Sequence, residues 1–243
     1  MADQKTALVV SAHSADFVWR AGGAVALHAE KGYRVVVVCL SFGERGESAK
    51  IWRKGDTTVD KVKAARRVEA QKAADILGAD IQFWDLGDYP LRASDEVLYR
   101  MTDLIREIRP KFLMSHSMHD PYNFDHGLTT HLVQEARITA QAHGYNPGVP
   151  VIKAPPVFLY EPHQTEMCNW KPDLYLDIGS VWEKKRKAIE AMEGQEYLWE
   201  YYTRVALNRG VQATRNSDKM SVTYGEAYMR IFPQTVTELG DLG

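Results

Sequence analysis

Hydrophobic residues along the chain keep two rhythms that alternate. Short apolar runs at 6–12 (with Ala7-Leu8-Val9-Val10), 34–40, 81–86, 111–115 and 157–160 read as strands, the first two buried on both faces. Between them, apolar positions recur three and four residues apart. The segment from Phe17 to about Lys31, with Val18, Ala21 and Ala24-Val25, reads as a helix. Residues 59–77 repeat that spacing at Val62, Ala65, Val68 and Ala73 and end at Gly78; 96–109 stop at Pro110. Helices are also expected at 127–141, 184–192 and 196–209, a further strand at 174–177, and a short helix at 224–231. The alternation predicts an α/β fold, a mostly parallel sheet with helices on both faces. Gly22-Gly23 falls inside the first helix, where each glycine costs up to about 1 kcal/mol relative to alanine. The pair predicts a close approach to the backbone there.

The 243 residues fit a single domain, 1–243, in which residues after about 150 complete the sheet and form a helical cap. Hydrophobic content of 45%, charged content of 26% and a net charge of −2 describe a soluble globular protein without a nucleic-acid footprint. No apolar run is long enough to span a bilayer, and the first five residues lack signal-peptide character, so a cytoplasmic protein is expected. Cys39 and Cys168 make no disulfide framework and lack CxxC partners.

Candidate chemistry gathers where strands end, the edge at which open α/β sheets bind ligands. Ser11-Ala12-His13-Ser14-Ala15-Asp16 forms the first strand-to-helix turn, and His13 and Asp16 there can converge on one metal ion. The Gly-rich loop 41–48 and Trp52-Arg53-Lys54 bring Glu44, Arg45, Glu47 and Arg53 toward the same edge. From His116 to His126, three histidines and two aspartates fall within eleven residues. His126 opens the next helix, with Asp125 beside it to orient the site. His13, Asp16 and His126 would supply three ligands, the usual protein share of a catalytic zinc site. His116 and His119 read as surface residues of their loop, and His131 and His143 as structural. His163, after strand 157–160, is a further edge residue.

Residues 9–23 and Asn123-Phe124-Asp125-His126 resemble the LmbE-like (PIG-L) metal-dependent deacetylase superfamily. Residues 41–46 are similar to its Thr-x-Gly-Glu-x-Gly loop, Arg66, Glu69, Ala73 and Leu77-Gly78 to its following helix, and 224–228 to its C-terminal motif. The resemblance implies a Rossmann-like fold and Zn2+, or another divalent metal, on His13, Asp16 and His126. It also implies hydrolysis of an N-acetyl sugar, but two positions depart from that machinery. Ala15 stands where the family's general base is expected, and Asn123 where a histidine stabilises the oxyanion. Alanine cannot take a proton. The form Ala-His-Ser-Ala-Asp-Phe-Val-Trp-Arg-Ala-Gly-Gly is similar instead to the branch that hydrates 4-oxalomesaconate in gallate and protocatechuate degradation. It implies water addition to a C=C bond conjugated with a 2-oxo acid, giving 4-carboxy-4-hydroxy-2-oxoadipate.

Such an addition needs a base for water, an acid for carbon and cations for three carboxylates. Glu47 is the expected base, with Glu44 its rival, and His163 the expected acid. Arg45, Arg53 and Lys54 are the nearest cations in the chain, arginine offering a bidentate fork. Asn123 is placed to hydrogen-bond water or substrate. Zinc either activates the water or polarises the 2-oxo group. The competing readings are an N-acetyl-sugar deacetylase with another base, such as Glu47, and a metal-binding protein without catalysis. The expected partners are a small-molecule tricarboxylate and further copies of the chain in a homo-oligomer.

Overall fold

The computed structural model describes residues 4–218 and 221–238. Seven strands, β1 (Thr6–Ser11), β2 (Arg34–Cys39), β3 (Asp80–Phe83), β4 (Phe112–Ser115), β5 (Val157–Tyr160), β6 (Leu174–Asp177) and β7 (Gly225–Arg230), form one sheet in the order β3-β2-β1-β4-β5-β7-β6. Neighbours from β3 to β5 pair in parallel, and β7 runs antiparallel to both β5 and β6. The helices are α1 (Asp16–Glu30), α2 (Ala49–Trp52), α3 (Val59–Leu77), α4 (Asp95–Ile108), α5 (Phe124–Thr139), α6 (Trp182–Glu190) and α7 (Trp199–Arg215). Ala7, Val9, Val35 and Val37 belong to a core shared with α1, α3, α6 and α7. Leu8, Val10, Val36 and Val38 face the opposite way, into a core with α4 and α5. Both faces of β1 and β2 are thus closed, which explains their unbroken apolar runs. No helix among the described residues is long and apolar enough to cross a membrane.

Residues 224–231 depart from the sequence reading: the expected short helix is strand β7. Tyr228 packs in the α1 core while Ala227 and Met229 lie in the other, a period of two. Glu226 shares the Tyr228 face, and a carboxylate on a buried face disguised the alternation. Its oxygens accept the backbone N–H of Gly23 (2.6 Å) and Ala24 (2.8 Å), the Lys185 ammonium (2.7 Å) and the Tyr228 hydroxyl (2.6 Å). A Cβ on residue 23 would lie 2.6 Å from Ile178 and 2.9 Å from Glu226 Oε1, so this is the close approach that the glycine pair predicts.

Strand order turns at β1, with β2-β3 leaving on one side and β4-β5 on the other. The crevice outside the carboxyl ends of β1 and β4 is where such sheets hold ligands. α5 starts earlier than its apolar spacing predicts, so Asp125 and His126 occupy its first turn. Asn123 caps that turn, its Oδ1 accepting the Asp125 N–H (3.2 Å).

Candidate metal centre and active site

His13 leaves β1, Asp16 opens α1, His126 lies in the first turn of α5 and Glu47 comes from the loop after β2. Ligand-type atoms of these four residues all lie within 4.8 Å of one another. His13, Asp16 and His126 are 0%, 2% and 3% exposed. Asp16 Oδ2 accepts the His13 backbone N–H (2.9 Å), which folds the turn so that imidazole and carboxylate share one side. His13 Nδ1 is 3.2 Å from both Asp16 Oδ2 and Glu47 Oε1, and His126 Nε2 is 3.6 Å from Asp16 Oδ1.

The outer nitrogen of each histidine decides what the inner one can do. His13 Nε2 lies 3.3 Å from Asp125 Oδ2, and His126 Nδ1 lies 2.9 Å from Asp120 Oδ2. Each outer nitrogen therefore carries its proton toward a carboxylate, leaving lone pairs on His13 Nδ1 and His126 Nε2. Both inner nitrogens are buried without a hydrogen-bond partner among the described residues. Two orphaned imidazole lone pairs beside Asp16 and Glu47 fit a divalent cation, with Asp120 and Asp125 as the supporting carboxylates. The potential agrees. Burial opposes charge on His13, yet Glu47, Asp125 and Asp16 raise its pKa well above the usual imidazole value. Asp125, expected from the sequence to help orient the site, supports His13, while Asp120 supports His126. Burial works against Asp125 ionisation, but His13 and the N–H groups of Tyr89 and Leu91 bring its pKa down to about 2.

The two candidate bases separate. Glu47 enters the cluster; Glu44 turns away, with Oε2 on the Phe42 N–H (3.2 Å) and Oε1 3.8 Å from Lys63 Nζ. Asn123 Nδ2 donates to the Tyr89 hydroxyl (3.0 Å) and reaches Glu47 Oε1 (3.4 Å). Ala15 is fully buried at the N-cap of α1. The His163 ring packs against Tyr201 and Tyr202, and its Nε2 lies 3.1 Å from the Tyr202 hydroxyl. Burial in that wall, with Arg20 second, pushes the imidazole down to about 4. Arg45 is exposed, with Nη1 on the Asp88 carbonyl (3.0 Å), and Arg53 is exposed at the end of α2. No hydrogen bond or ion pair joins either guanidinium to the cluster among the described residues.

Three further residues shape the site. His116 is 1% exposed, so it is not on the surface as the sequence reading expects: its Nε2 accepts the Ala12 N–H (2.9 Å) and its ring stacks on His126. Tyr89 lies against Gly46, where an added Cβ would come within 2.2 Å of the ring; no charge or spacing in the sequence marks it. Arg20 is buried one turn beyond Asp16, and that spacing, on an otherwise apolar helix start, was the available signal.

A family model for GlcNAc-PI de-N-acetylase (PIG-L) matches residues 8–137, from β1 through the start of both ligand-bearing helices. The chain is 62% identical over 239 residues to 4-oxalmesaconate hydratase of Pseudomonas putida, covering 97% of this chain and 93% of that protein. It is similar to the crystal structure of GalB, the 4-carboxy-2-hydroxymuconate hydratase of Pseudomonas putida, with a TM-score of 0.95 and 61% identity, over 97% of this chain and all of that one. Diacetylchitobiose deacetylase of Thermococcus kodakarensis is 27% identical over 209 residues, covering 82% of this chain and 74% of that protein. The matched region carries both turns that meet at the cluster, and on that ground the chain belongs to the PIG-L (GlcNAc-PI de-N-acetylase) family.

Proposed function

We propose that this protein is a metal-dependent hydratase that adds water to the C=C bond of 4-oxalomesaconate, giving 4-carboxy-4-hydroxy-2-oxoadipate in gallate and protocatechuate degradation. The names of its two hydratase relatives describe keto and enol tautomers of one tricarboxylic acid. One observation carries the reading: the family's base position is the methyl group of Ala15, and the only other carboxylate among the four clustered residues besides Asp16 is Glu47. A divalent cation, zinc in this proposal, would be held by His13 Nδ1, Asp16 and His126 Nε2 and would supply Lewis acidity toward water or the 2-oxo group.

Glu47 takes the proton of the attacking water as the C–O bond forms. The displaced C=C electron pair moves onto the neighbouring carbon and its conjugated acceptor, and that carbon receives a proton from His163. Burial opposes ionisation of Glu47, but in the metal-free protein the charge on His13 outweighs it, and a cation held on the neutral imidazole would do the same, so Glu47 is a carboxylate ready to accept. His163 is neutral in the free protein. A bound trianion works against Arg20 and draws a proton onto the imidazole, so His163 becomes an acid as the substrate arrives. Asn123, which also donates to the Tyr89 hydroxyl, reaches Glu47 Oε1 and helps to hold it in place.

The test incubates metal-loaded protein with 4-oxalomesaconate and, separately, with an N-acetylglucosamine conjugate, each with and without chelator. Chelator-sensitive hydration with no acetate release is the expected result. Acetate release without hydration would replace this reading with deacetylation.

A further inference from the structure

Arg20 is 6% exposed and carries five N–H donors on a permanently charged group. Its Nη1 donates to the Glu161 carbonyl (2.7 Å), and its Nε has no hydrogen-bond partner among the described residues. The nearest carboxylate oxygen, Asp16 Oδ1, is 3.5 Å from Nε without hydrogen-bond geometry, and Asp16 already serves His13 and the cation site. The other carboxylates nearby are engaged too. Glu161 pairs with Arg209, Asp120 with His126, and Glu47 with His13 and Asn123. A neutral carbonyl does not offset a buried charge, and such a charge is costly unless paired. Arg20 thus stands between the ligand cluster and the loop bearing His163, a buried guanidinium whose one ion-pair partner among the described residues, Asp16, is shared with His13 and the cation site.

We propose that Arg20 is the carboxylate clamp of the site, its unsatisfied donors taking the substrate carboxylate that lies between the cation and His163. The proposal rests on the hydratase reading for the identity of the substrate. It assigns the anchoring that Arg45 and Arg53, at the outer rim, leave open. A planar fork fixes orientation as well as charge, so the clamp also sets which face of the C=C bond meets Glu47. The anchored carboxylate adds negative charge beside His163 and so assists its proton loading.

The experiment compares wild type, Arg20→Met and Arg20→Lys. Calorimetric titration uses propane-1,2,3-tricarboxylate and glutarate on metal-loaded protein, followed by steady-state kinetics on 4-oxalomesaconate, with metal content and Tm measured on each variant. Arg20→Met should bind the tricarboxylate about 10²-fold more weakly with metal retained. Arg20→Lys should recover part of the affinity but not the turnover, because the point charge lacks the fork. The preference for the tricarboxylate over glutarate should collapse in Arg20→Met. Unchanged tricarboxylate affinity in Arg20→Met overturns the clamp. So does a loss confined to metal content or Tm, which would make Arg20 a support for Asp16. Arg20-dependent tricarboxylate binding in a wild type that does not hydrate would instead sink the hydratase reading and leave the clamp standing.

Discussion

Each histidine of the cluster leans on a carboxylate behind it, and that pairing has a measurable signature. Asp125 sits at about 2 in the folded protein, against about 3.9 for a free aspartate. A depressed carboxylate stabilises the fold above its unfolded value and loses that contribution as pH falls toward its folded one. Asp125→Asn should therefore cost about 2 kcal/mol at neutral pH by urea unfolding, and the deficit should shrink between roughly pH 4 and pH 2. A deficit constant across that window would assign it to packing. In the chemistry, Glu47→Gln and His163→Asn should each lower kcat by about 10²–10⁴-fold with metal retained. Metal loss in Glu47→Gln would make Glu47 a ligand, and near-wild-type kcat in both variants would remove the acid–base pair. His13, Asp16 and His126 were legible in the sequence because each closes or opens an element with a donor atom. His116 and Tyr89 were not, since what places them is a backbone N–H on Ala12 and a glycine face on a distant loop.

Helix α1 shows how one element is positioned by residues far from it in sequence. From Asp16 to Ala26 it is buried throughout, so its apolar spacing announced a helix but not which neighbours close on it. Gly22 and Gly23 look equivalent in the sequence and differ in the structure. A Cβ at 22 would meet Lys185 and Leu77 at ordinary contact distances of 3.4 and 3.7 Å, whereas one at 23 would overlap Ile178 and the Glu226 carboxylate. Gly22→Ala should be neutral or stabilising by up to about 1 kcal/mol through helix propensity. Gly23→Ala should destabilise by ~1–3 kcal/mol from overpacking. Chemical unfolding of the two variants side by side checks this, and equal effects would contradict the reported approach of Glu226. The β7 misreading has the same root. A strand whose buried face carries Glu226 does not alternate visibly between apolar and polar, and only its partners on α1 and α6 explain the carboxylate.

Across the whole molecule, the buried cluster of His13, Asp16, Glu47 and His126 couples stability to pH. His13 carries a raised folded pKa, so its protonation stabilises the metal-free fold fully below the unfolded value near 6.5. That contribution is lost as pH rises through the folded value. A cation in the same place would replace the proton. Chelation should thus lower Tm more at pH 8.5 than at pH 6, and zinc at about 100 times its Kd should return ~2.7 kcal/mol. Equal Tm with and without chelator at both pH values would mean that no cation occupies the cluster. The layered sheet and the site's edge were visible from strand and helix alternation alone. The antiparallel return of β7 was not, because nothing local in residues 225–230 encodes its pairing with β5 and β6.

The grip of Glu226 on α1 also has a meaning in time. All four clustered residues have been translated once His126 is made, yet the backbone of α1 is pinned by a side chain far downstream. At about 5–20 residues per second, a growing chain passes roughly 5–20 s between those two points. Throughout that interval the donors are present but the Glu226 hydrogen bonds to α1 are not, and without that hold ions would rank by intrinsic affinity, copper above zinc. Ribosome-bound chains halted before residue 225 should take up copper and zinc in that order, and chains extended past β7 should not; identical uptake by both would place the locking of α1 earlier.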